Sequence, residues 1–136
     1  MGQTSTVTYN GSLRTTAVHL RSGKTIITDA PTDNNGKGEA FSPTDLVATA
    51  LASCMITIMG IRASKMNLNI DGTKAEVQKI MSSNPRRIAE VVINVTMPDN
   101  DFSERDRTIL EKAARTCPVA LSLHSDTLQT IHFSWS

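Results

Sequence analysis

SPTDLVATALASCMITIMGIRASK, residues 42–65, decides how the rest of the chain is read. Ser42 suits a helix N-cap, Pro43 has the fixed φ of a first helical position, and Asp45 at the third meets the helix dipole. The pattern predicts a helix running to about Lys65. At helical spacing its residues sort into an apolar stripe (Val47, Leu51, Cys54, Ile58, Ile61) and a small-residue stripe (Ala50, Ser53, Thr57, Gly60, Ser64). A helix apolar or small on both sides is a central one, covered by more than one partner. In its middle lies one of the chain's 2 cysteines. Cys54 either fills space there as a small apolar side chain or does chemistry, and the stretch by itself leaves both open.

Upstream, TVTYNGSLRTTAVHL (residues 6–20) reads as a hairpin with Asn10-Gly11 supplying the positive φ angles of a tight turn. RSGK turns the chain into TIITD, a third short strand. DAPTDNNGKGEAFS (residues 29–42) is rich in turn formers, and a loop of that length inside a compact domain is often functional. Downstream, KAEVQKIM and RIAEVVINVTM are two strands joined through Ser-Ser-Asn-Pro. In the second, Ala89, Val91, Ile93, Val95 and Met97 alternate onto one face. FSERDRTILEKAARTC is an amphipathic helix capped by Ser103, with Ile109, Leu110 and Ala113 inward. Pro118 forces a break or a new helix start at Cys117, and LQTIHFSW closes the chain as a strand. The order βββ-α-ββ-α-β predicts an α+β fold, a mainly antiparallel sheet packed on the long helix.

At 136 residues the chain reads as one domain, 1–136, large enough for its own core. A net charge of +1 provides no electrostatic footprint for nucleic acid or an anionic membrane. The 16 uncharged residues between Asp45 and Arg62 fall short of a spanning helix. With no basic segment leading into an apolar core at the N-terminus, the expected location is the cytoplasm. In that compartment two cysteines 63 positions apart form no standing structural disulfide, although a transient one remains open.

No phosphate loop, zinc-ligand spacing, nucleophile elbow or dinucleotide fingerprint is present. Cys117, preceding Pro118, is placed as an N-cap, where free amides and the dipole lower a thiol pKa. By position it is the more acidic thiol. Cys54, about three turns into its helix and flanked by Leu51, Met55 and Ile58, needs a cation from elsewhere to ionise. Arg14 shares the parity of Thr16, Val18 and Leu20, which places it on the apolar side of its hairpin, where a thiolate would answer its charge. A solvent-facing edge arginine fits the same pattern. Glu39, in the loop before the helix, is placed to orient such an arginine, or is simply a solvated carboxylate. His124, seven residues after Cys117, raises a Cys-His hydrolase without a third orienting group. His19 and His132 carry no motif.

GKGEAFSPTDLVATALASCMITIMG and ARTCPVALSLHSD, with YNGSLRT near the N-terminus, resemble the two cysteine segments and first hairpin of the OsmC/Ohr family. That family comprises osmotically inducible protein C and organic hydroperoxide resistance protein, and the resemblance spans essentially the whole chain. It implies an intertwined homodimer with active sites at the subunit interface. It also implies that Cys54 is the peroxidatic cysteine, Cys117 the resolving one and Arg14 the family's arginine. The implied reaction is reduction of organic hydroperoxides through a Cys54–Cys117 disulfide that an external dithiol resets, with no metal or organic cofactor required. One position departs from the family pattern: Thr44 stands where its better-characterised peroxidases carry a glutamate, and Glu39 is the candidate replacement. The alternative is a non-enzymatic dimeric fold or small-ligand binder whose cysteines serve packing.

Overall fold

In the computed structural model, which describes residues 2–136, Ser42 caps the long helix as its sequence directs. Ser42 Oγ accepts from the Asp45 N–H at 3.1 Å, and Asp45 Oδ2 accepts from the Ser42 N–H at 2.9 Å. Two amides that the helix cannot pair are thus satisfied reciprocally. The helix, α1, spans Pro43–Lys65. Where the sequence suggests one domain, contacts group the chain into two compact units, one ending at Leu46 and one spanning Val47–Ser136.

The first unit is a three-stranded antiparallel sheet, β1 (Ser5–Gly11), β2 (Arg14–His19) and β3 (Thr25–Asp29), in that order. Its first turn differs from the Asn10-Gly11 expectation. The ladder shifts register between Tyr9 and Gly11, Gly11 pairs with Arg14, and the turn falls on Ser12 and Leu13 at φ 57° and 64°. The irregularity uses up one residue, and two consecutive positive φ values match the twist of the flanking strands. Asn10 instead donates its side-chain N–H to Thr16 Oγ1 at 2.6 Å.

Beyond β3 the chain makes a short 3-10 turn at Thr32–Asn34 and folds back on itself. The Gly38 N–H donates to Ala30 O at 3.1 Å, the Ala30 N–H to Leu13 O at 3.1 Å, and the Asp29 N–H to Phe41 O at 3.1 Å. Gly36 packs so tightly that a Cβ there would lie 1.8 Å from Ala30 O, so no other residue fits without moving the backbone. The loop that reads as unstructured in sequence is therefore held to a defined path.

The second unit carries the main core. β4 (Lys74–Ser82), β5 (Arg87–Thr96) and β6 (Leu128–Ser134) form a sheet in that order, antiparallel between the first pair and parallel between the second. Parallel neighbours need a crossover, which α2 (Glu104–Arg115) and α3 (Pro118–Ser122) supply. Ser103 and Asp106 form the expected capping box at α2. Val91, Ile93 and Val95 are buried on one face of β5 as their alternation requires, together with Met97 just beyond it, Ile131 of β6 and Leu110 of α2. Each such side chain taken out of water contributes about 1.5–3 kcal/mol. Ile109 and Ala113 are only half-buried, and Ala114 takes the inward position instead. The architecture is α+β and mainly antiparallel, with α3 as the new helix start that Pro118 announced.

α1 turns a different face to this core from the one its apolar stripe suggests. Ala48, Leu51, Ala52, Met55, Met59 and Ala63 are buried, whereas Val47 and Ile61 are exposed, along with Ala50, Ser53, Thr57 and Ser64. The helix is apolar or small all round, so periodicity does not single out a face, and the flexible methionines are the chains that fill the gaps over the sheet. By length and composition this one helix among the described residues could cross a membrane, contrary to the estimate from its uncharged run. Its buried face is nevertheless occupied by the core of the second unit.

Candidate functional site

Two clusters carry the candidate residues, one in each unit. In the second unit, Cys54 lies in the middle of α1, half-buried and packed against the core, and Cys117 is fully buried at 0% exposure. Cys117 is the N-cap of α3, extended at φ −67° and ψ 154°, with Pro118 in the first turn. Its Sγ accepts from the Ala120 N–H at 3.4 Å. The Cys54 side chain lies near enough to raise the Cys117 pKa, so thiols 63 positions apart in sequence come within reach of one another's charge, both unoxidised.

Position alone predicts a lowered pKa for Cys117, and the structure shows the opposite shift. Burial pushes its pKa above the ordinary 9.0; the Ala120 and Val119 amides pull it down by less, and the Cys54 side chain adds to the rise. A cap supplies the amides, but solvent exclusion outweighs them. Cys117 thus holds its proton more tightly than an ordinary thiol.

The sign of the linkage follows. The folded chain binds the Cys117 proton more tightly than the unfolded chain, so this contribution to stability is fully present below pH 9.0 and is lost as pH rises through the raised folded value. Serine, a good N-cap, can replace the thiol without titrating. The Tm difference between the protein and Cys117→Ser, followed by thermal melts, is expected to hold steady below pH 9.0 and to move against the cysteine form above it. A difference that stays constant across that value would remove the buried thiol from the account.

In the first unit, Arg14 stands on β2 directly opposite Asp29 on β3. Its Nη2 lies 3.5 Å from Asp29 Oδ2 and forms an ion pair with Glu39 Oε1. The expected Arg14–Glu39 pairing is therefore present, and the arginine is neither bare nor deeply buried, with its side chain 38% exposed. Asp29, which sequence reasoning passed over, is 1% exposed, and its Oδ2 also accepts from the Glu39 N–H at 2.9 Å. The signal that could have found it is register: TIITD folded back on β2 brings its last residue opposite Arg14. Thr44 Oγ1 sits 3.3 Å from Ser42 Oγ, and Asp45 closes the α1 cap.

His124 does not enter a Cys-His arrangement. Its side chain is exposed and its Nδ1 accepts from the Asp126 N–H at 3.0 Å within its own turn, whereas Cys117 is enclosed. Among the described residues no group of three or more His, Cys, Asp or Glu side chains is arranged to hold a metal ion.

The family model described as OsmC-like protein matches residues 36–131, a span that includes Glu39, Cys54 and Cys117 and leaves Arg14 and Asp29 outside. A solved structure from Psychrobacter arcticus 273-4, described as that of a candidate osmotic stress induced and detoxification response protein, is 53% identical. It has a TM-score of 0.94 over 98% of this chain and 97% of that chain. An OsmC-like protein from Mycoplasma pneumoniae shares 17% identity at a TM-score of 0.81, over 99% of this chain and 97% of that one. An organic hydroperoxide resistance protein OsmC from Legionella pneumophila shares 14% at a TM-score of 0.75, over 98% of both. These last two are alike in fold. No curated protein sequence matches the chain at a significant level.

Proposed function

Because the chain belongs to the OsmC-like protein family, we propose that it acts in redox defence as a thiol-dependent peroxidase reducing organic hydroperoxides through Cys54 and Cys117. The observation that carries this reading is the nearness of the two thiols, close enough for Cys54 to raise the pKa of Cys117. Packing alone accounts for either cysteine singly, but less readily for two thiols from distant segments brought within electrostatic reach of each other. Proteins of the same fold described as organic hydroperoxide resistance proteins support it.

The cycle starts with the Cys54 thiolate attacking the outer oxygen of R–O–O–H. The O–O bond breaks, Cys54 becomes a sulfenic acid, and RO⁻ takes a proton and leaves as the alcohol. Cys117 then attacks the sulfenic sulfur, the S–S bond forms, and the hydroxyl departs as water with the Cys117 proton. An external dithiol exchanges with the disulfide, restoring both thiols and leaving as its own disulfide. The raised pKa of buried Cys117 keeps it a poor nucleophile toward the peroxide, and its proton departs with the hydroxyl when the S–S bond forms. In this reading Arg14 stabilises the Cys54 thiolate and Glu39 orients Arg14. The cycle uses no metal or organic cofactor.

A homodimer belongs to the same proposal, and each unit offers a face that favours it. α1 presents small and apolar residues to solvent, among them Val47, Ala50, Ser53 and Ile61. The three-stranded sheet exposes Val7, Tyr9, Ile26 and Ile27, a large apolar load for so small a sheet. The chain would work as a single functional domain in the cytoplasm, where dithiol reductants are at hand.

The test is to supply reduced protein with dithiothreitol and follow loss of cumene hydroperoxide against loss of hydrogen peroxide. Catalytic consumption is expected, faster for the organic peroxide because the helix around Cys54 is apolar or small on every side. Loss no faster than in the protein-free control would defeat the reading.

A further inference from the structure

We propose that Asp29 is the positioning residue for Arg14, the group that fixes where the guanidinium charge points; this rests on the reading of Arg14 given above. Two carboxylates meet Arg14, and they are not equivalent. Glu39 is 62% exposed, so water and salt screen its attraction and its side chain gains little by staying in place. Asp29 is 1% exposed and sits in the sheet register opposite Arg14, so its end of the attraction is shielded from water and salt.

Burying that carboxylate is costly, and the cost is not fully offset locally. Asp29 Oδ1 is buried and accepts no hydrogen bond, while Oδ2 serves both Arg14 and the Glu39 N–H. Accepting from an amide calls for no charge, and a neutral Asn or Ser oxygen would do it. The negative charge is needed only by the cation facing it. Asp29 also holds the backbone of Glu39, so both partners of the ion pair are set from this one buried side chain.

The experiment follows alkylation of Cys54 by iodoacetamide against pH on the full reduced chain, assigned by peptide mass, for the protein, Asp29→Asn, Arg14→Ala and the double variant. This readout requires no peroxidase turnover. Asp29→Asn keeps shape and an acceptor oxygen while removing the charge. It is expected to raise the pH midpoint of Cys54 reactivity by about 1 unit, as loss of a positioned opposite charge does. Arg14→Ala is expected to raise it at least as far, and the double variant no further than Arg14→Ala alone. A midpoint moved by Arg14→Ala and unmoved by Asp29→Asn overturns this inference and leaves the peroxidase reading standing. A midpoint that Arg14→Ala does not move overturns the inference and Arg14's place in the cycle. Intact coupling in a protein that consumes no peroxide supports the positioning role and sinks the peroxidase reading instead. Should Asp29→Asn not fold, NMR of the Arg14 guanidinium in Glu39→Gln decides the matter. Hindered rotation about Nε–Cζ is expected with Asp29 as the remaining carboxylate, and free rotation overturns the proposal.

Discussion

Cys54→Ser is expected to bring hydroperoxide consumption down to the protein-free rate, a fall of about 10³-fold or more, as when an enzyme loses its nucleophile. A serine hydroxyl stays protonated at neutral pH and is a poor nucleophile toward an O–O bond. Position Cys54 is half-buried, and serine differs from cysteine there by one atom, so melting should change little beside the loss of rate. That separation is the point of the variant: activity goes while the fold stays. Retained consumption in Cys54→Ser would transfer the attack to Cys117, the thiol that burial keeps protonated, and the electrostatic account would then be wrong.

Cys117→Ser is expected to behave differently. The first turnover survives, because Cys54 is intact, and about one equivalent of peroxide per chain is consumed before the reaction slows. Steady turnover falls by about 10²-fold, since an external thiol replaces one held in place. Cys54 should then carry one added oxygen, or two after a further peroxide, readable by intact mass and by a sulfenic-acid trap. Serine keeps the acceptor for the Ala120 N–H, so α3 should still form. Full turnover in this variant would show that Cys117 resolves nothing.

Much of the fold was legible because local chemistry and tertiary structure agree. Ser42, Pro43 and Asp45 spell a helix start, and Val91, Ile93 and Val95 alternate as a strand with one buried face must. Legibility ended where two structures satisfy one pattern. α1 is small or apolar on every side, so its buried face was set by the sheet beneath it, and Val47 and Ile61 turned outward. Parallel pairing of β5 with β6 joins segments separated by two helices, which no periodicity reports.

The site shows the same division. Cys117 as an N-cap could be read from the proline that follows it, but the direction of its pKa depends on burial by chain segments remote in sequence. Its pairing with Cys54 was implied by family resemblance and not by spacing. Asp29 was missed because a lone acidic residue closing TIITD looks like an ordinary strand end; only the β2–β3 register turns it into the partner of Arg14.

The central claim is that Cys54 and Cys117 form one redox pair, and intact mass after oxidation tests it most directly. Fully reduced protein, treated with one equivalent of cumene hydroperoxide and no added thiol, is expected to lose the mass of two hydrogens. Peptide mapping is expected to place the bond between Cys54 and Cys117. Unchanged mass with two titratable thiols, or oxygen accumulating on Cys54 while Cys117 remains free, would contradict the pair.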